Sequence, residues 1–301
     1  MSNPRIVIGL PVYNGENYLE KAIASILAQS FDEWQLFIGD NASTDATESI
    51  CRRYAQQDER IKYHRHEQNI GAAPNFNFLF QPGDAPYFKW AAHDDTLEPD
   101  YLRQCIQVLD DNSDVVIAHC PTYEIDKSDR KLRTYEAANL RLNAERPRDR
   151  FWRLLWTEHF TEIFGIMRSD AVAKTKLHGS YVGSDRNFFA EIILQGDVGY
   201  AKEALFCRRE HQESYMAALK DNLERRKWFD PKASYPASLT GLIKTKEYFD
   251  AIFSAPISVS EKIACGKMVL EFIGIRGMEV LLGQSDRYRA KLIEQNELAT
   301  K

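Results

Sequence analysis

The chain has 301 residues, 44% hydrophobic and 12% aromatic, and its 39 basic side chains against 44 acidic ones leave a net charge of −5. That length allows one large domain, or a domain with an appendage, around a sizeable core. Charges of both signs mix along the chain, so the electrostatic footprint of general nucleic-acid binding is missing and that partner is set aside.

Five cysteines, Cys51, Cys105, Cys120, Cys207 and Cys265, show no CxxC spacing and sit mostly in apolar segments, which implies a reducing compartment. The apolar stretch in "MSNPRIVIGLPVYNG" is too short for a signal peptide and breaks at Pro11. A later one, 268–283, contains Glu271, Arg276 and Glu279 and falls short of the roughly 20 apolar residues a membrane span needs. The expectation is a cytoplasmic protein.

In chain order, "RIVIGL" reads as a buried strand, and Leu19, Ala22, Ile23, Ile26 and Leu27 then recur at helical spacing. "WQLFIGD" (34–40) is a second strand, and Ser43, Thr44 and Asp45 are candidate caps for the helix after it, with Glu48 close behind. "IKYHR" is a third strand, "APNFNFLFQ" a third helix and "APYFKWAA" a fourth strand. This β-α alternation predicts a mostly parallel sheet with helices on both faces. Beyond it, "EPDYLRQCIQVLDD" reads as a helix and "DVVIAHCPTYEID" as one strand continuing the sheet. Residues 127–160 read as loop, turning helical at "RDRFWRLLWTEHF"; "TEIFGIMRSD" suits a strand entering a helix, "SDRNFFAEIILQG" a helix and "VGYAKEALFCRREH" a strand or hairpin. After about residue 217 strand signals fade, and 238–253 and 260–282 look helical.

Three strand ends carry polar clusters: "PVYNGE", "GDNASTD" and "HDD". In a parallel sheet the carboxyl ends of strands share an edge, so Tyr13, Asp40, Asp94 and Asp95 are placed to face one crevice. Neither GxGxxG nor GxxxxGKS/T occurs, so phosphate must be held otherwise. An isolated pair of aspartates is most often a solvated turn or helix cap. Three converging clusters favour a site, in which a divalent cation on carboxylate oxygens would hold phosphate.

"VIGLPVYNGENYLEKAIASILAQSF", "LFIGDNASTDAT", "NIGAAPNFN" and "KWAAHDDTLEPDYL" together span nearly all of the first 110 residues, and in order and spacing they resemble a bacterial, inverting family 2 glycosyltransferase of the GT-A-type fold. The resemblance implies an α/β nucleotide-diphospho-sugar transferase fold over residues 1–215, with a nucleotide-binding half (1–110), an acceptor-binding half (111–215) and a helical region at 216–301. The implied activity moves a sugar, with inversion, from a UDP or dTDP donor to a hydroxyl of a glycan or lipid-linked cell-envelope acceptor, assisted by Mn²⁺ or Mg²⁺.

Carried onto this sequence, the resemblance makes Pro11 and Tyr13 the frame of base and ribose, Asp40 the acid that accepts a hydrogen bond from the base, and Asn69, Gly71 and Asn75 further lining of the nucleotide site. A base N3–H suits uracil or thymine, which ranks UDP and dTDP above GDP. The family often has D-x-D or D-x-D-D where this chain has Ala92, His93, Asp94 and Asp95. Two registers stay open: Asp94 on ribose with Asp95 on metal, or Asp94 on metal.

The resemblance also implies a general base, since an acceptor hydroxyl must lose its proton as it attacks. "GSDRNFF" places Asp185 there, although the family commonly has Glu-Asp and this chain has Ser184-Asp185. In "RREHQES", His211 is placed to complete a metal shell or touch the diphosphate, and Arg208 and Arg209 to pair phosphate oxygens. Glu162 and Trp156 are acceptor-side candidates, although Trp152, Trp156 and Phe160 at helical spacing also suit core packing. His64, His66, His119, His159 and His178 receive no role. The C-terminal helices are expected to pack on the catalytic domain, with homodimer formation or peripheral attachment to the inner face of the membrane left open. Ala92 and Ser184 keep alive a non-catalytic nucleotide-sugar-binding relative; a sugar-nucleotide pyrophosphorylase would carry a Gly-rich basic phosphate loop that "PVYNGENY" lacks.

Overall fold

The computed structural model describes residues 3–81, 83–135, 142–157, 161–211, 222–229, 231–232 and 239–282. The first half runs β1 (Ile6–Val12), α1 (Leu19–Leu27), β2 (Trp34–Asp40), α2 (Thr47–Gln57), β3 (Ile61–Arg65), α3 (Ala72–Phe78) and β4 (Tyr87–Trp90). Then come β5 (Thr96–Leu97), α4 (Tyr101–Asp111), β6 (Val115–His119), β7 (Thr122–Ile125), β8 (Lys131–Tyr135) and α5 (Pro147–Trp156). A 3₁₀ turn (Glu162–Phe164) leads to β9 (Ile166–Arg168), α6 (Ser169–Val172), α7 (Ser184–Ile193), β10 (Asp197–Tyr200) and β11 (Phe206–Arg209). The remaining described helices are α8 (Asn222–Phe229), α9 (Thr240–Ser254) and α10 (Val259–Leu282).

β1 is buried at every position, as a strand covered on both faces must be. It lies inside a seven-stranded sheet ordered β10-β6-β9-β4-β1-β2-β3. Its side chains alternate between the faces: Ile6, Ile8, Leu10 and Val12 join a core with α1 and α4, while Val7 joins the opposite core with α5, α7, α9 and α10. The helices bury the stripes that their periodicity predicts, Leu19, Ala22, Ile23 and Ile26 in α1 and Tyr101, Leu102, Cys105, Ile106 and Leu109 in α4.

β1 runs parallel to β2 and β4, β2 to β3, and β6 to β10. Only β9 is reversed, antiparallel to both β4 and β6. All the other strands of this sheet therefore point their carboxyl ends at one edge, and β9 begins there. A smaller sheet, β5-β11-β7-β8, flanks it.

The structure differs from the sequence expectation in four places. The stretch 114–126 is two strands in two sheets, β6 and β7, because Pro121 lacks the N–H that a continuing ladder needs. Likewise 198–211 is no hairpin: β10 joins the large sheet and β11 the small one. β5 falls between the acid doublet and the expected helix, where the sequence suggests no strand, and β8 in the charged stretch read as loop. Finally, α2 has no side-chain cap at Ala46; Asp45 Oδ1 accepts the Thr47 N–H, while Ser43 and Thr44 bond the neighbouring loop. His159 and Phe160, residues 212–214 of "RREHQES" and the chain from 283 onward lie outside the described residues.

The C-terminal helices pack on the large sheet: Tyr248, Ala251 and Ile252 of α9 and Cys265 and Val269 of α10 belong to its second core. Among the described residues, no helix is long and apolar enough to cross a membrane.

Candidate active site

The loops after β1 and β2 are bonded to each other through their side chains. Ser43 Oγ accepts the Asn14 N–H (2.9 Å), Thr47 Oγ1 the Gly15 N–H (2.8 Å) and Asp45 Oδ2 the Glu16 N–H (3.0 Å). In return Asn14 Oδ1 accepts the Thr44 N–H and Glu16 Oε2 the Ala46 N–H, both at 2.9 Å. Asn14 (φ 52°) and Ala42 (φ 62°) are left-handed, a strain that these bonds offset.

Asp40 ends β2 fully buried, its Oδ1 accepting the Ser43 N–H and its Oδ2 the Tyr63 O–H, both at 2.8 Å. Sequence reading gave Asn41 no role, yet its amide ties the next loop down. It donates to Asn69 Oδ1 (3.0 Å) and Gly71 O (3.1 Å) and accepts the Ile70 N–H (2.8 Å). Asn75 is 2% exposed, with Nδ2 donating to Gly39 O (2.8 Å) and Oδ1 3.0 Å from His66 Nε2. It supports the β2 end from beneath. Gly71 (φ 94°) starts α3 in a backbone conformation that glycine adopts without strain. Pro11 is buried beside Gly39, and Tyr13 stands 43% exposed at the mouth.

β4 delivers the acid doublet. Asp94 Oδ2 lies 2.9 Å from His211 Nε2, and Asp95 Oδ1 accepts the Arg209 N–H at 2.8 Å. Burial alone would raise Asp94, but His93 and His211 hold it below the usual carboxylate range. Asp95, more deeply enclosed and repelled by Asp94, is pushed up to about 7. His93 packs over Gly15: a methyl group there would meet His93 Cδ2 at 2.8 Å and Val12 Cγ2 at 2.6 Å. The doublet and the β1 loop are thereby fixed to one another.

Arg209 is not a phosphate ligand held in reserve. Only 2% exposed, it donates through Nε to Asp94 O and through Nη1 to Asp126 O, both at 2.8 Å, and pairs with Asp129 at 2.6 Å. Its guanidinium lies 4.8 Å from the centre of the Tyr18 ring, which stands 4.7 Å from the His211 ring. The small sheet thus serves as a bracket for the doublet. In the strand "FCRR" Arg209 is buried and Arg208 only half-buried, a difference that the sequence itself does not show.

The chemistry of this donor set suits a divalent cation. Ligands on adjacent octahedral positions, each about 2.1 Å from the ion, stand about 3.0 Å apart, and Asp94 Oδ2 and His211 Nε2 have that separation. Among the described residues His211 Nδ1 is buried without a partner, so Nε2 carries the ring's polar contact. Among the described residues no three His, Cys, Asp or Glu side chains converge, so water and phosphate oxygens would fill the remaining positions.

On the acceptor side, α7 runs back from the shared edge toward β10, and its Phe188 packs against Trp90 at 5.1 Å. That places Asp185, half-buried in the first turn, at the same edge; its Oδ1 accepts the Arg186 N–H at 2.9 Å. Glu162 sits at the same edge but faces inward, fully buried, with Oε1 accepting the Tyr200 O–H at 3.2 Å and Oε2 without a partner among the described residues. Burial pushes its carboxyl up to about 7. Trp156 packs edge-on against Phe272 of α10 at 5.0 Å. The structure thus gathers the β1 and β2 loops, the doublet, His211 and Asp185 at one edge, buries Glu162 and leaves Trp156 partly buried against α10.

The sequence matches the Glycosyl transferase family 2 model over residues 7–175. An uncharacterized glycosyltransferase of Rickettsia typhi is 33% identical over 132 residues, 43% of this chain and 40% of that protein. The putative teichuronic acid biosynthesis glycosyltransferase TuaG of Bacillus subtilis is 32% identical over 110 residues, 36% of this chain and 44% of its own. The aligned region is therefore less than half of either relative. Among solved structures, S. aureus TarS 1–349 in complex with UDP-GlcNAc superposes with a TM-score of 0.59 at 15% identity, covering 89% of this chain and 80% of that one. The mannosyltransferase PcManGT from Pyrobaculum calidifontis, in complex with GDP-Man and Mn²⁺, gives 0.53 at 14% identity, covering 99% and 81%. At such identities the likeness is one of fold.

Proposed function

The chain belongs to glycosyl transferase family 2, and on that premise we propose that it transfers a sugar, with inversion, from a UDP or dTDP donor to a hydroxyl of a glycan or lipid-linked cell-envelope acceptor. The observation that carries this reading is the pairing of Asp94 with His211, braced by Arg209, at the edge where Asp185 begins α7. The UDP-GlcNAc bound by TarS supports a uridine donor, and the name of TuaG supports an envelope glycan.

In this reading Tyr13 and the β1 loop frame base and ribose, with Pro11 beneath them. Asp40, fully buried and held by Ser43, Tyr63 and Arg65, would meet a base N3–H only if the loop after β2 opened toward it. Asn69 and Gly71 line the ribose side, supported by Asn41 and Asn75. Asp94 and His211 would hold Mn²⁺ or Mg²⁺, with Asp95 behind them; Mn²⁺ accompanies the donor in PcManGT. A bound cation supplies neutralisation of the charge that builds on the departing diphosphate. Asp185 accepts the proton of the acceptor hydroxyl while that oxygen forms its bond to the anomeric carbon. The bond from that carbon to the diphosphate oxygen breaks, and the nucleoside diphosphate leaves with its electron pair.

The test is a panel of nucleotide sugars incubated with the protein and Mn²⁺, following nucleotide release. Turnover of a UDP or dTDP sugar supports the reading. Binding without turnover would favour a non-catalytic sugar-nucleotide-binding protein, the alternative that Ala92 and Ser184 keep open.

A further inference from the structure

We infer that this protein pairs with a second copy of itself through the hairpin of α9 and α10, whose outer face carries a self-complementary apolar seam. The inference is independent of the reaction that the site performs.

α10 has two apolar stripes, where a helix lying on a core needs one. Cys265 and Val269 belong to the second core of the large sheet, and Phe272 packs against it. About a third of a turn round the helix, Val259, Ile263, Gly266, Leu270 and Ile273 follow one another at steps of four, three, four and three. That alternation averages about 3.5 residues, the spacing of a seam between paired helices rather than of a broad core-facing stripe. Its four large side chains are 40% to 74% exposed, against 0% for Cys265 and Val269.

α9 widens the face. Phe253 is 68% exposed and stacks on Phe249 at 6.3 Å; Leu242, eleven residues earlier and so on the same side of α9, is equally exposed. A methyl group on Gly266 would meet the Phe249 ring at 3.6 Å, so this row borders the seam. Lys262 Nζ donates to Phe253 O at 2.6 Å and ties the two helices together. Of the nine large apolar side chains exposed among the described residues, seven fall between 239 and 273. The apolar surface is gathered there rather than scattered, as at an interaction site.

The seam selects its occupant. Turned over about a two-fold axis level with Met268, α10 sets Ile263 against the partner's Ile273, Leu270 against the partner's Gly266 and Val259 against the partner's Gly277. Large residues then meet glycines in two of the three layers, with Phe249 as the floor of the notch at Gly266. A parallel pair would set glycine on glycine and leave a gap. At about 36 Å for α10 and about 22 Å for α9, the hairpin offers on the order of 600 Å² in each copy, which reaches the lower bound for stable complexes. A membrane surface fits less well, because Lys246 is paired with Glu247 and Asp250 and Glu271 follows Lys267 one turn later. The flanks carry mixed charge, unlike the basic flank of a helix that lies on lipid.

The test is sedimentation velocity on the full chain from about 1 to 100 µM. The 34.7 kDa chain should double in mass across that range. Leu270→Lys and Ile263→Glu should each stay monomeric while keeping the wild-type circular dichroism. Leu132→Lys, which alters an exposed apolar residue of β8, should dimerise as the wild type does. Chain direction is read by mixing single variants: Ile263→Cys and Ile273→Cys should form a mixed disulfide with each other and little of either homodisulfide. A wild-type monomer throughout the range, a dimer that persists in both charged variants, or homodisulfides without the mixed one would overturn the inference. A monomer that cosediments with phosphatidylglycerol vesicles would also overturn it, and would assign the face to a membrane.

Discussion

The two halves of the shared edge are built differently. On the donor side, polar side chains are spent on one another: Asn14, Glu16, Ser43, Asp45 and Thr47 form a reciprocal set, and Asn41 alone closes three bonds. On the acceptor side, Glu162 Oε2, Ser184 Oγ, Asn187 Oδ1 and Trp156 Nε1 are buried without partners among the described residues, where the donor side has His211 Nδ1. A satisfied network holds its geometry before any ligand arrives, whereas unpaired groups are costly unless something else supplies the partner. The contrast teaches that the donor side is preorganised and that the acceptor side is less completely satisfied.

The largest effect that sharpens this contrast is expected at Asp185. Asp185→Asn should lower the transfer rate by about 10²- to 10⁴-fold, measured in initial-rate assays, with UDP affinity intact; unchanged turnover would remove Asp185 from the chemistry. Asp94→Ala should weaken UDP binding in Mn²⁺ by at least about tenfold, and EDTA should bring the wild-type protein to the same level. Calorimetry on both proteins would expose an effect that is independent of metal.

Smaller effects belong to stability. Asn41→Ala leaves the Ile70 N–H and the Gly71 carbonyl short of a partner and should cost about 2 kcal/mol in urea unfolding. A loss near zero would mean that the donor loops do not depend on this amide.

Glu162 gives a change of similar size that appears only as pH varies, and its sign follows from linkage. Its folded carboxyl titrates near 7 against an ordinary 4.5, so between these values the folded state keeps a proton that the unfolded chain releases. Its contribution is fully present below pH 4.5 and lost as pH rises toward 7 and beyond. Glu162→Gln should therefore reduce the stability drop between pH 5 and pH 8 by about 2 kcal/mol, read from denaturation midpoints. An identical drop in both proteins would show that Glu162 is not the group responsible.

The same contrast explains what the sequence disclosed. Donor-side residues lie in short stretches directly after strands, so their spacing survives in one dimension: Tyr13 after β1, Asp40 closing β2, Asp94 and Asp95 after β4. Arg209 was read as a phosphate ligand because its partners, Asp94, Asp126 and Asp129, lie some 80 to 115 residues away and meet it only when the second sheet forms. Pro121 was the visible sign that 114–126 must break into two strands, but apolar pattern alone does not say which sheet each joins.

The central claim is that Asp94 and His211 together hold the cation that accompanies the donor. Crystals grown with UDP and Mn²⁺ and measured at the manganese absorption edge test it directly. The account predicts an anomalous peak between Asp94 Oδ2 and His211 Nε2, in contact with the diphosphate. Bound UDP with the direct Asp94–His211 hydrogen bond still in place and no manganese beside it would contradict that claim.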